Sequence, residues 1–281
     1  MVPPAQPAGA AWFNGAFLPP GEVRVSAFDA GFLQGDGLFE TLRTYGGRPR
    51  LLGPHLRRLE AGARALGIPL PGGLDAIARE VTSRSGLAEC TLRLTVTRGV
   101  VGEDAPTVLV TALPLRTWPA RVYAEGARAG WLWARGDGGP PGPGVKSTSY
   151  QWAALGRREA EQRGWDEGLF LDAAGVHVTE GTATSVLAVV DGTLWSPPAE
   201  VALPGVTRAE VLRLARAQGV AVGEAYLPRA VVQRAEEVLL TGSLAEVVPV
   251  TRLEGQPVGR GVPGEVAQRL RAAYLEEAGR E

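Results

Sequence analysis

The chain has 281 residues, 45% of them hydrophobic and 21% charged, enough for one large or two medium folded domains and unlike a disordered composition outside the first ten residues. A formal net charge of -1 supplies no field that would collect nucleic acid or an anionic membrane, so any anion selectivity must be local. Cys90 is the only cysteine, which excludes an intramolecular disulfide and a multi-cysteine metal site, and only His55 and His177 could serve zinc or serine-histidine chemistry.

In chain order, the opening residues carry neither the basic nor the apolar run of a signal peptide, and no stretch approaches the ~18 apolar residues of a membrane span. A cytoplasmic protein is the expectation. Short strands and turns come first: Ala11–Leu18, then Gly37–Tyr45 before a Gly46-Gly47 turn, then a helix over Pro54–Leu66. A helix at Leu74–Ser85 leads into the alternating strand Cys90–Thr97, followed by a strand at Thr107–Leu113. The lack of regular strand-helix-strand alternation predicts an α+β class rather than a doubly wound sheet.

Around Gly136–Gly144 the chain turns to Gly-Asp-Gly-Gly-Pro-Pro-Gly-Pro-Gly, which continues neither a helix nor a central strand. The predicted division is therefore a small domain over 1–135, a linker over 136–145 and a larger domain over 146–281. After the linker a helix is predicted over Thr148–Arg163, stopped by Gly164. Closely spaced antiparallel strands follow at Gly168–Asp172, Val176–Glu180, Thr184–Val190 and Thr193–Ser196. Then come a helix at Thr207–Gln218, a strand at Val220–Tyr226, a short helix at Arg229–Ala235, strands at Val238–Thr241 and Glu246–Leu253, and a terminal helix from Pro263.

Of 29 basic residues Lys146 is the only lysine. A compositional bias that replaces lysine by arginine accounts for the other positions, because arginine serves surface pairs and anion contacts equally well. It cannot act where an amine is needed, since arginine is not deprotonated and cannot attack a carbonyl. Val145-Lys146-Ser147-Thr148 does not fit a phosphate-binding loop, which needs glycine directly before the lysine and a strand before the loop. Further along, Val178-Thr179-Glu180-Gly181-Thr182 sets a carboxylate at a strand end. Glu180 reads either as a solvated turn residue or as a partner for a pyridinium nitrogen. Leu203-Pro204-Gly205-Val206-Thr207 enters a helix, so the amides of Val206 and Thr207 suit a phosphate, unless Thr207 simply caps the helix. Thr241-Gly242-Ser243 offers a second anion nest, and Arg58 either a forked phosphate contact or a surface charge.

The order of these features resembles the fold-type IV pyridoxal-phosphate enzymes, a family of branched-chain aminotransferases, D-amino-acid aminotransferases and aminodeoxychorismate lyases. The resemblance runs from Phe13-Asn14-Gly15 through Gly35-Asp36-Gly37-Leu38-Phe39-Glu40 and His55-x-x-Arg58-Leu59 to Thr241-Gly242-Ser243-x-x-Glu246-Val247-x-Pro249-Val250. It implies a small and a large domain with pyridoxal 5'-phosphate between them, and a homodimer acting on a small molecule. It further implies Lys146 as the Schiff-base lysine and proton shuttle, Glu180 as the partner of the pyridine nitrogen, and Arg58, Val206, Thr207 and Ser243 as the phosphate cup.

Within the family, branched-chain aminotransferases carry a tyrosine five residues after the lysine; here Gln151 stands there, with Tyr150 one residue early. D-amino-acid aminotransferases carry an Arg-x-His trap after the Thr-Arg-Gly strand end, which Thr97-Arg98-Gly99 lacks. These departures, with Gly35 to Arg43 and Lys146-Ser147, lead to the expectation of a 4-amino-4-deoxychorismate lyase of folate synthesis, releasing 4-aminobenzoate and pyruvate. A transaminase of branched-chain or D-amino acids is the alternative. On the strand Gly37–Tyr45, period-two alternation puts Phe39, Thr41 and Arg43 on one face. That face is expected to meet substrate, with Arg43 on a carboxylate and Thr41 near the departing oxygen.

Overall fold

The computed structural model describes residues 8–133 and 144–280, so most of the predicted linker lies outside the described residues. These residues form two compact units. One runs to Arg116 and includes Val145–Ser149; the other comprises Thr117–Gly144 and Tyr150–Arg280.

The first unit contains β1 (Ala10–Phe13), β2 (Ala16–Leu18), α1 (Ala30–Gln34), β3 (Gly37–Tyr45), β4 (Arg48–Pro49), α2 (Leu52–Leu66), α3 (Leu74–Ser85), β5 (Cys90–Thr97) and β6 (Thr107–Pro114). Its six strands form a sheet in the order β2-β1-β6-β5-β3-β4. All its pairings are antiparallel. Alternation along the strands places Leu38, Leu42, Leu92, Leu94, Val108 and Val110 in one core with Leu59 and Ala63 of α2 and Ala78 and Val81 of α3. The opposite face carries Phe39, Thr41, Arg93 and Thr95, with Phe39 paired to Thr95 and Thr41 to Arg93.

The second unit contains α4 (Ala120–Glu125), β7 (Ala127–Leu132), α5 (Gln151–Gln162), β8 (Glu167–Leu171), β9 (His177–Gly181), β10 (Ser185–Val190), β11 (Thr193–Ser196), α6 (Val206–Ala217), β12 (Ala221–Glu224), β13 (Leu227–Pro228), α7 (Arg229–Val232), β14 (Glu237–Gly242), β15 (Glu246–Leu253), β16 (Gln256–Pro257) and α8 (Glu265–Arg280). Its ten strands run β12-β11-β10-β14-β15-β7-β8-β9-β13, with β16 beside β15. Core residues cover both faces. Leu187, Leu239 and Val247 pack with Leu214, Leu270 and Tyr274 of α6 and α8. Val186, Leu240 and Val248 pack with Leu169 and Val178. The class is α+β.

Two placements differ from the sequence expectations. The second unit starts at Thr117, because Ala127–Leu132 is a strand inserted parallel to both β15 and β8. The segment around Lys146 belongs to the first unit and begins no helix: Ser147 forms an antiparallel bridge with Leu38. Phe39 N donates to Lys146 O at 3.0 Å and Thr148 N to Gly37 O at 2.8 Å. The helix therefore starts only at Gln151. Gly35 and Gly37 make room for this approach. Gly35 sits at φ 70 and a Cβ there would strike Ser149 Oγ, while one on Gly37 would lie 2.8 Å from Val96 O and 3.0 Å from Thr148 Oγ1.

Candidate active site

The bridge to β3 fixes which way Lys146 points. Its neighbours Val145 and Ser147 are buried at 5% exposure each, so alternation sends the lysine to the other side, where Nζ stands 4.5 Å from the Phe39 ring centroid. The Arg93 guanidinium lies 3.9 Å from the same centroid. Burial of the amine, followed by the positive charge of Arg58, lowers Lys146 from 10.5 to about 7; Glu40 opposes this and Arg93 adds to it. Near neutral pH a substantial fraction is therefore the free amine that can attack a carbonyl.

Behind Phe39 lies a group the sequence reading passed over. Glu40 is fully buried. It accepts from His55 Nδ1 at 2.7 Å and from Arg58 Nε and Nη2 at 2.8 and 2.6 Å. Its burial would raise its carboxyl, but the charge and forked hydrogen bonds of Arg58, with those of His55, win and hold it down at about 2. His55 is lowered from 6.5, chiefly by its own burial. A signal existed: Glu40 falls between core-facing Leu38 and Leu42, and a carboxylate on a core face demands partners. His55 and Arg58, three apart on α2, share the helix face that supplies them.

This cluster makes the fold acid-sensitive. For both groups the folded value lies below the unfolded one, 4.5 for Glu40 and 6.5 for His55, so the unfolded chain binds more protons as pH falls. The His55 contribution is complete above 6.5 and that of Glu40 above 4.5, the latter disappearing toward about pH 2. Urea midpoints measured from pH 7 to pH 3 should fall steadily; a flat profile would refute the assignment.

Arg43, expected on substrate, pairs with Glu89 at 2.6 Å and lies 4.7 Å from the Tyr45 ring centroid. Thr41 Oγ1 is 3.5 Å from Arg93 Nη1. Arg93, unremarked in the sequence, is thus a cation on the Phe39 ring beside Lys146. Arg98 ties Asp36 at 2.5 Å to the last carbonyls of α2, bonding Leu66 O at 2.8 Å.

In the second unit Glu180 is the last residue but one of β9, is 7% exposed and accepts from Leu203 N at 3.3 Å, so it is no solvated turn residue. Helix α6 starts after Gly205, with no side chain capping it; Thr207 lies inside the first turn and is not the cap. Its hydroxyl is 3.5 Å from Ser243 Oγ, which brings together two hydroxyls expected in the phosphate cup. Val206 opens the helix. At the same strand end Thr241 Oγ1 is buried and meets no hydrogen-bond partner among the described residues. Tyr150 donates to Thr182 O at 2.9 Å, and Gln151 begins α5.

In the first unit, an amine lowered to about 7 suits an aldehyde; in the second, a buried carboxylate and an uncapped helix N-terminus with adjacent hydroxyls suit a ring nitrogen and a phosphate, the groups that pyridoxal phosphate carries. The fold and this donor set define a pyridoxal-phosphate enzyme. The family model for amino-transferase class IV matches residues 37–253, and the chain belongs to that family. It is 29% identical to the branched-chain-amino-acid aminotransferase of Escherichia coli K12 over 94% of this chain and 91% of that one. With the D-alanine aminotransferase of Bacillus licheniformis it shares 28% identity over 93% and 94%. The crystal structure of the T.th. branched-chain amino acid aminotransferase with pyridoxamine 5'-phosphate superposes with a TM-score of 0.90 at 31% identity, covering 97% of this chain and 94% of that one.

These relatives overturn the expectation of an aminodeoxychorismate lyase in folate synthesis, since they are named transaminases over nearly the whole chain. The expectation rested on two missing contacts, the tyrosine at position 151 and the Arg-x-His after Arg98. A missing side chain says nothing positive about a reaction, and Arg93 supplies a cation on the relevant sheet face without either motif. The departing oxygen assigned to Thr41 has no counterpart in transamination. Among the described residues no helix is long and apolar enough to cross a membrane.

Proposed function

We propose that this protein is an aminotransferase moving the amino group of branched-chain L-amino acids to a 2-oxo acid. The observation that carries this reading is the Lys146–Phe39–Arg93 cluster, an amine lowered to about 7 and a guanidinium on the same ring. When bound, pyridoxal phosphate supplies the conjugated electron sink that stabilises charge at the substrate α-carbon. Lys146 Nζ would hold the cofactor's aldehyde carbon and, once freed by the substrate amine, would take the α-proton and give it to a different carbon, as amino transfer requires, work that needs its lowered basicity. Glu180 would keep the pyridine nitrogen protonated, and Val206, Thr207 and Ser243 would hold the phosphate, with Arg58, whose Nε and Nη2 bond Glu40, as the fourth contact the resemblance implies. Arg93 takes the substrate carboxylate. Branched-chain substrates are favoured over D-amino acids because Arg98 is committed to Asp36 and the end of α2 and the similar structure at a TM-score of 0.90 is named a branched-chain aminotransferase.

The purified enzyme with L-leucine and 2-oxoglutarate should yield glutamate and the branched 2-oxo acid. Turnover of D-alanine with none of L-leucine would reassign the substrate class, and turnover of neither would end the transaminase reading. Replacing Arg93 by methionine should raise KM for the amino acid about ten- to hundredfold, the scale of a lost charge-assisted contact, and unchanged KM would remove Arg93 from the substrate. The homodimer implied by the resemblance belongs to this reading; Phe28, Phe32 and Leu33, 69%, 73% and 53% exposed, form an apolar surface suited to a second copy. A cytoplasmic location completes it.

A further inference from the structure

Glu167, the first residue of β8, is a fully buried carboxylate outside the proposed chemistry. Its Oε1 accepts from the amides of Gly168 at 3.0 Å and Thr182 at 3.2 Å and from the Thr182 hydroxyl. Its Oε2 accepts from Thr184 Oγ1 at 3.0 Å. Arg157 Nη1 stands 4.0 Å away, beyond hydrogen-bond reach, and Arg157 Nε donates to Glu161 at 3.3 Å. The hydrogen bonds to the carboxylate therefore come mainly from a turn, 181–184, with Arg157 adding only a long ion pair at 4.0 Å. Desolvation pushes its carboxyl up, a cost that closing a turn does not by itself require.

The same turn touches both ends of the proposed cofactor contacts in this unit. It follows Glu180 directly and is closed by Gly181 N donating to Thr184 O at 2.7 Å. Tyr150 also donates to Thr182 O, at 2.9 Å. On its other side is Gly242, next to Ser243. A Cβ on Gly242 would lie 3.4 Å from Ala183 O and 3.8 Å from Thr184 Cγ2. A shift of the turn would displace Glu180 along β9 and press on the strand end that carries Ser243.

We propose that Glu167 is a positioning residue which, through Thr182 and Thr184, sets where the Glu180 carboxylate and the Ser243 hydroxyl stand toward the cofactor. This rests on the assignment of Glu180 to the pyridine nitrogen.

The test uses the holoenzyme and the variants Glu167→Gln, Thr184→Val, Thr184→Ser and Glu180→Gln, following the pH titration of the bound cofactor's absorption, kcat and KM, and thermal melting. Glu167→Gln and Thr184→Val should move the spectral midpoint in the direction Glu180→Gln does. They should lower kcat about tenfold with KM within about threefold, the signature of misplaced rather than missing groups. Thr184→Ser, which keeps the hydroxyl, should restore both. If Thr184→Val and Glu167→Gln melt earlier but keep the spectral midpoint and kcat, Glu167 serves the fold alone and the inference is overturned. If Glu180→Gln itself leaves the midpoint unmoved, the assignment of Glu180 fails and takes the inference with it. Should Glu167→Gln not fold, the Thr184 pair decides.

Discussion

Replacing Lys146 by arginine abolishes covalent capture of the cofactor and lowers turnover by at least about four orders of magnitude, because a guanidinium can neither condense with an aldehyde nor carry the α-proton at neutral pH. Arginine is charged where Lys146 is partly the free amine, so the variant also adds charge at the position, and adduct mapping separates lost chemistry from altered electrostatics. Borohydride treatment of the wild-type holoenzyme followed by peptide mapping should find the adduct at Lys146, the only lysine in the chain; in the arginine variant it should find none there. Thermal melting without cofactor should fall, because the burial and the neighbouring Arg58 that lower the Lys146 amine also disfavour a permanent guanidinium charge, although the backbone bridge between Leu38 and Ser147 is kept. Turnover of the variant within about tenfold of wild type would refute the role given to this lysine.

Glu40→Gln should cost about 3 kcal/mol of stability, the lower end of what breaking a buried ion pair costs. The substitution keeps the shape but leaves Arg58 and His55 facing an amide where both now bond a carboxylate at 2.6 to 2.8 Å. In a chain of this size that corresponds to a melting point lowered by roughly 6–12 °C at pH 7. The deficit should shrink toward pH 3, where the wild-type carboxylate begins to lose its advantage. A second readout tests the link to the amine. Glu40 is the neighbour that raises Lys146, so without its charge the amine falls further below its present value and cofactor capture extends to lower pH. Removing Arg58 together with Glu40 should cost less than the sum of the single changes, because no charge is left unpaired. A variant with unchanged melting and an unchanged pH profile of capture would show that the cluster is neither a stabilising pair nor coupled to Lys146.

Much of the fold was legible because it is local. Gly37–Tyr45, Cys90–Thr97, Thr193–Ser196 and Glu246–Leu253 lie where side-chain alternation and flanking turns put them, and Leu74–Ser85 follows the helical period between glycines. Ala127–Leu132 was missed. It is short, contains Gly130 and Arg128, and becomes a strand only because β15 and β8, distant in sequence, accept it between them. The helix predicted from Thr148 starts late for a similar reason: Ser147 and Thr148 commit their backbone groups to β3, more than a hundred residues earlier.

The site divides in the same way. Lys146 could be singled out from the sequence because its chemistry has no substitute among 28 arginines, and Glu180, Thr207 and Ser243 because strand ends and helix starts are local features. Arg93 is one arginine among many on a half-buried strand, and only the pairing of β5 with β3 and the bridge to Ser147 put it and Lys146 on the same ring. Glu40 stands inside a quoted motif, yet its partners come from a helix whose packing brings His55 and Arg58 across the strand. The sequence by itself determined which side chain can act as an amine and where short-range periodicity folds the chain. Tertiary structure decided which charges share a low-dielectric space, and with that the protonation of Lys146 and Glu40, because such interactions depend on distances that sequence separation does not encode.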